Sequence, residues 1–162
     1  MRAIYAGSFN PVHTGHLDII RRAAKSFDEV LVLVCDNSNK SYKVSKDDRM
    51  KLAKQAIKMC CLPNNIEVKT LPINQTVAQY AQDWDYDILV RGIRSNADLA
   101  AELEIAEVNR ILRYDTVFFP AKASYSNISS SLIRECIKYD IPVDQYLTLG
   151  LEKKVKELYK YE

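Results

Sequence analysis

The sequence predicts an α/β fold, a single Rossmann-like doubly wound domain with a five-stranded parallel sheet and C-terminal helices. Three observations predict it. Short apolar runs of strand length recur five times along the chain. Segments of helical period separate them. Within each run the apolar residues are nearly continuous rather than alternating, as in strands covered on both faces. Regular alternation of strand and helix then implies parallel neighbours joined by crossovers.

The first run, residues 3–6, leads through a polar loop to a helix whose Leu17, Ile20, Ala24 and Phe27 share one face. The second run, 30–34, precedes a helix opened by Ser45 and Asp48, which have capping-box spacing, with Met50, Ala53, Ile57 and Cys60 as its apolar stripe. The third run, 66–71, is followed by a stripe of Val77, Tyr80, Ala81 and Trp84. The fourth run, 88–90, is followed by Ala101, Ile105, Val108 and Leu112, and the fifth spans 117–119. Core packing is the expected use of each stripe. A last helix from Leu149 to Tyr159 carries Leu151, Val155 and Leu158 on one face, for the core or for another subunit. No repeat or linker interrupts the pattern, so residues 1–162 are expected to form one domain.

Bulk properties exclude several function classes. Lys and Arg together number 23 and Asp and Glu 21, which is too balanced for a general nucleic-acid or membrane surface. There is no basic stripe with interleaved aromatics, no run long enough to span a bilayer and no signal-peptide pattern, so a cytoplasmic protein with no nucleic-acid or membrane partner is expected. Cys35, Cys60, Cys61 and Cys136 form no C-x-x-C pair and read as reduced, half-buried thiols. Neither a P-loop nor G-x-G-x-x-G occurs among only four glycines.

The informative residues lie just after the apolar runs, where parallel sheets bind ligands. After Ala6 comes Gly-Ser-Phe-Asn-Pro-Val-His-Thr-Gly-His, residues 7–16, holding the chain's two histidines. A helix starting near Gly15 puts His16 in its first turn, beside free N–H groups that favour phosphate. Gly7 is expected to let the backbone turn, Gly15 to make room for a ligand, and Ser8 to add a hydroxyl donor. The fourth run ends in Arg91-Gly92-Ile93-Arg94, two guanidinium forks flanking a glycine. Glu102 and Asn109 follow on the next helix, where they can hold sugar hydroxyls or orient Arg94. After the fifth run, Ser124 to Ser131 ends in three consecutive serines, more than capping requires. Lys40 follows the second run at the same sheet edge.

These residues carry a family resemblance. Residues 7–16 resemble the (H/T)-x-G-H loop of the nucleotidylyltransferase superfamily, and Ile128-Ser129-Ser130-Ser131 resembles its second signature, about 115 residues later. Over almost its full length the chain resembles the phosphopantetheine adenylyltransferases, whose R-G-(L/I)-R-x-x-x-D-(x)3-E segment is similar to Arg91-Gly92-Ile93-Arg94 with Asp98 and Glu102. The spelling Asn10, His13 and Thr14 is closer to nicotinate-mononucleotide adenylyltransferases, which makes that nucleotide the alternative acceptor.

The resemblance implies adenylyl transfer from ATP to 4′-phosphopantetheine, with Mg²⁺ held mainly by the ATP phosphates and a homohexameric assembly. It implies ATP contacts at Ser8, Phe9, His13, His16, Gly92, Ile93, Arg94, Glu102 and Tyr125, then at Ser126, Asn127, Ile128, Ser129, Ser130 and Ser131. Acceptor contacts are implied at Ser8, Lys40, Val77 and Arg91. His16, Lys40 and Arg94 are the expected catalytic residues. Covalent catalysis by serine or cysteine is not expected, because neither histidine is paired in sequence with a nucleophile and a carboxylate.

Overall fold

A computed structural model describes residues 1–37 and 40–160. Its elements run β1 (Arg2–Gly7), α1 (Thr14–Ser26), β2 (Glu29–Val34), α2 (Lys46–Met59), β3 (Ile66–Thr70), α3 (Val77–Asp83), β4 (Ile88–Ile93), α4 (Asn96–Ile111), β5 (Thr116–Pro120), α5 (Ser130–Lys138) and α6 (Glu152–Tyr159). Short 3₁₀ turns at Ala123–Tyr125 and Asp144–Tyr146 join the last elements. The five strands form one sheet in the order β3-β2-β1-β4-β5, and every neighbouring pair is parallel. The predicted Rossmann-like class and strand count are therefore the observed ones.

The pleat divides each central strand between two cores. Ala3 and Tyr5 of β1 and Val30, Val32 and Val34 of β2 face the layer built from α1, α2, α5 and α6. Ile4, Ala6, Leu31 and Leu33 face the layer holding Tyr80 and Ala81 of α3. Both faces of β1 and β2 are buried, which is why these runs are apolar throughout. Ser45 caps α2 by accepting the Asp48 N–H.

Three expectations for the helices change. In α4 no residue is buried, and Ile105, Val108 and Leu112 are 45%, 58% and 42% exposed. The line turned inward is Asp98, Glu102, Ala106 and Asn109, all half-buried. Ion pairs of Asp98 and Glu102 hold this orientation, leaving the apolar stripe off the core. In α6, Leu151 and Val155 are buried as expected, but Leu158 is exposed and Tyr159 takes the inward place. Trp84 also stays exposed at the end of α3.

Candidate active site

A cleft of about 510 Å³ opens at the carboxyl ends of β1 and β4. These strands are neighbours at the point where the chain reverses its direction of growth across the sheet, the place where such sheets bind ligands.

The loop from β1 to α1 builds one wall. His13 is the N-cap of α1, and its Nδ1 accepts the His16 N–H at 3.4 Å. In return His16 Nδ1 accepts the His13 N–H at 3.2 Å. The rings stack with centroids 3.6 Å apart. Each Nδ1 accepts, so each neutral ring carries its proton on Nε2 and offers one N–H donor. Burial pushes the His13 imidazolium pKa down to about 3, with the Arg94 charge adding to it. His16 is likewise pushed well below 6.5 by burial, then by His13 and Arg94. Phe9 lies beneath His16, ring centroids 5.0 Å apart, with its backbone in the left-handed region at φ 45°.

The glycines of this wall make room rather than turns. A Cβ on Gly7 would stand 3.1 Å from the Phe9 ring, and one on Gly15 would stand 3.1 Å from the His13 ring. Neither glycine has a positive φ, so neither is needed for backbone freedom. The N–H groups of Thr14 and Gly15 take no partner among the described residues, which leaves donors at the positive end of α1.

The end of β4 forms the floor. Arg91 forks onto Glu102, Nε to Oε2 at 2.5 Å and Nη2 to Oε1 at 2.7 Å, and donates to the Ala6 carbonyl at 2.8 Å. Arg94 forks onto Asp98 at 2.8 and 3.1 Å and reaches the Ile128 carbonyl at 3.2 Å. Glu102 therefore orients Arg91, and Asp98 performs for Arg94 the task the sequence suggested for Glu102. Asn109 is not at the site; its amide approaches Thr116 Oγ1 at 3.4 Å.

The second signature forms the opposite wall. Ser129 caps α5 by accepting the Leu132 N–H at 3.0 Å. Ser130 Oγ donates to the Pro11 carbonyl at 2.9 Å, and Ser131 Oγ accepts from Arg134 at 3.4 Å. The three hydroxyls thus have three different structural uses, while the N–H groups of Ser130 and Ser131 remain unpaired among the described residues.

Ser8, His13, His16, Lys40, Arg91 to Arg94, Glu102, Tyr125 and Ser129 to Ser131 all line the cleft. Phe9 supports the wall from below, and Ile128 is buried in the core. Ser126 bonds its own turn at the Ala123 carbonyl, and Asn127 is exposed outside the cleft. Val77 packs against the α3-side core and does not line the cleft in this structure.

Sequence reasoning missed Tyr5, Asn10, Ser41, Tyr42 and Arg134, which also line it. Arg134 sits one turn after the serine run, a spacing that could have drawn notice. Burial pushes the Tyr5 phenol pKa far up, so it stays protonated on the cleft floor. Four cations, Lys40, Arg91, Arg94 and Arg134, face two anions, Asp98 and Glu102, so the lining carries two net positive charges. Such a concave, cationic surface attracts polyphosphates.

Beneath the floor, the wholly buried Arg49 donates to the carbonyls of Ser8 at 2.6 Å, Cys35 at 3.2 Å and Val44 at 3.2 Å and pairs with Asp36. It ties the histidine loop to the segment that precedes Lys40. Among the described residues no cluster of three or more His, Cys, Asp or Glu side chains could hold a metal. No described helix is long and apolar enough to cross a membrane.

The cytidylyltransferase-like family model matches residues 4–136. A phosphopantetheine adenylyltransferase of Coprothermobacter proteolyticus is 33% identical over 158 residues, covering 96% of this chain and 95% of that protein. One from Lactobacillus acidophilus is 34% identical, covering 99% of this chain and 98% of its own. In solved structures the fold recurs in a Plasmodium falciparum nicotinic acid mononucleotide adenylyltransferase complexed with NaAD. That match has a TM-score of 0.75, 16% identity and coverage of 99% and 98% of the two chains. At that identity the likeness is one of fold. Signatures, cleft and relatives agree: the chain belongs to the phosphopantetheine adenylyltransferases of the cytidylyltransferase-like family.

Proposed function

We infer that this protein transfers the adenylyl group of ATP to 4′-phosphopantetheine, giving dephospho-coenzyme A and pyrophosphate. The observation that carries the chemistry is the convergence of two helix N-termini, α1 and α5, on one cationic cleft that the neutral His16 also lines. The choice of acceptor is supported by the near full-length relatives named for that activity.

The acceptor phosphate attacks the α-phosphorus of ATP in line. A new P–O bond forms as the bond to the β-phosphate oxygen breaks, and pyrophosphate carries the electron pair away. The attacking phosphate is already ionised, so catalysis is positioning and charge stabilisation rather than proton abstraction. His16 Nε2–H, with the free N–H groups of α1, holds α-phosphate oxygens as charge builds. Lys40, exposed at the rim, neutralises the attacking phosphate. Arg94 and the N-terminus of α5 with Ser129, Ser130 and Ser131 hold the β- and γ-phosphates. Ser8 and Arg91 serve the acceptor side, with Glu102 holding the guanidinium in place.

The cleft suits a Mg²⁺ that rides on the triphosphate. Its two carboxylates are taken by Arg91 and Arg94, so the ion would draw its oxygens from ATP and neutralise phosphate charge there. We further read residues 1–162 as one domain acting in the cytoplasm, where ATP is available, and assembled as a homohexamer through the exposed apolar face of α4.

Pyrophosphate release measured with ATP and each acceptor tests the reading. Turnover is expected with 4′-phosphopantetheine. Turnover with nicotinate mononucleotide alone, the acceptor that the His13-Thr14 spelling favours, would replace it.

A further inference from the structure

The histidine loop is held from behind by side chains distant in sequence. Arg49 takes the Ser8 carbonyl at 2.6 Å, Arg134 takes the Asn10 carbonyl at 2.6 Å and Ser130 takes the Pro11 carbonyl at 2.9 Å. The fourth tie is a side-chain pair. Tyr159 Oη, at the end of α6, donates to Asn10 Oδ1 at 2.7 Å across 149 residues of chain. Both partners are buried, Tyr159 being 1% and Asn10 4% exposed. A buried acceptor that loses its donor is costly, so this bond restricts where Asn10 can stand.

Asn10 is a sensitive place to hold the loop. On one side is Phe9, strained at positive φ and in edge contact with the His16 ring. On the other, three residues on, is His13, whose Nδ1 and N–H lock that ring. A shift of Asn10 is passed by short covalent links to the imidazole that faces the cleft. Leu151 and Val155, both fully buried, dock α6 on the core and deliver Tyr159 to this spot.

We propose that Tyr159 is a positioning residue for adenylyl transfer: through Asn10 it sets the loop so that His16 meets the α-phosphate, which makes the C-terminal helix a working part of the active site. The proposal rests on the adenylyl-transfer reading above. Wild-type turnover tests that reading, and the ratio of variant to wild-type turnover tests this one.

The test is Tyr159→Phe, which keeps the ring and removes only the donor. It is assayed by pyrophosphate release with ATP and 4′-phosphopantetheine, well below its own melting midpoint. Because misplacing a group that acts in the transition state lowers turnover, kcat is expected to fall about tenfold with KM for ATP within about twofold of wild type. Asn10→Ala is expected to do the same, and the double variant to lose no more than the worse single one. Leu31→Ala opens the α3-side core, on the other face of the sheet from α6, and is expected to lower Tm while leaving kcat unchanged. A folded Tyr159→Phe with kcat within about twofold of wild type overturns the proposal, as does a loss confined to KM. So do losses that multiply in the double variant, or a Leu31→Ala that lowers kcat as much as Tyr159→Phe does.

Discussion

His13 and His16 cap each other: each ring's Nδ1 accepts the other residue's backbone N–H, at 3.4 and 3.2 Å, and the rings stack 3.6 Å apart. The arrangement fixes both tautomers and leaves His16 with one donor to offer. Replacing His16 by alanine removes that donor and the reciprocal bond. We expect kcat to fall at least about a hundredfold, with ATP affinity changing much less. Steady-state pyrophosphate release and equilibrium ATP binding check this; near-normal turnover would remove His16 from the mechanism.

The same pair sets a pH dependence. Burial keeps both histidines neutral far below 6.5, with His13 held to about 3. Between those values the unfolded chain binds protons that the folded one refuses. Folding is therefore fully supported above 6.5 and weakens as pH falls toward 3. Urea unfolding at stepped pH should show stability declining across that window, and His16→Ala should flatten the decline. Turnover should show no rise or fall attributable to a histidine titrating near 6.5.

Arg91 and Glu102 form a two-point fork at the cleft floor. Glu102→Gln keeps the volume and loses the charge and one acceptor. The guanidinium then loses its fixed place, and KM for the acceptor is expected to rise about tenfold, with KM for ATP less affected, on the scale of one charge-assisted hydrogen bond. Equal rises in both would mean that Glu102 serves the nucleotide directly.

Arg49 is fully buried with its donors on three carbonyls and on Asp36. Arg49→Met leaves those acceptors bare beneath the site. A destabilisation of about 3 kcal/mol is expected in urea unfolding, the scale of breaking a buried charged network. A change under about 1 kcal/mol would show that water replaces the guanidinium at no great cost.

The outer face of α4 presents Leu103, Ile105, Val108 and Ile111, 45–75% exposed. Val108→Asp places a charge in the middle of that face. If the face joins subunits, light scattering should find an oligomer for the wild type and smaller species for the variant. An unchanged mass would place the interface elsewhere.

What the sequence determined by itself was the set of elements and the chemistry of their ends. Residues 3–6 and 30–34 had to be two-sided strands, because no polar side chain breaks either run. The loop 7–16 and the serine run declared phosphate binding, because local spacing alone puts them at helix starts.

Tertiary structure decided what each residue is paired with. Glu102 was legible as a site residue, but its commitment to Arg91 depended on how α4 rotates against β4, a choice made by ion pairs rather than by the apolar stripe. The stripe of Ile105, Val108 and Leu112 misled for that reason: periodicity marks an apolar face without naming what covers it. Gly7 was read for backbone freedom, whereas it clears room for the Phe9 ring, and Gly15, which lines the cleft as read, also clears room for the His13 ring, a matter of distances between side chains. Tyr159 and Asn10 meet only because α6 folds back across the sheet, and no local pattern encodes a contact spanning 149 residues.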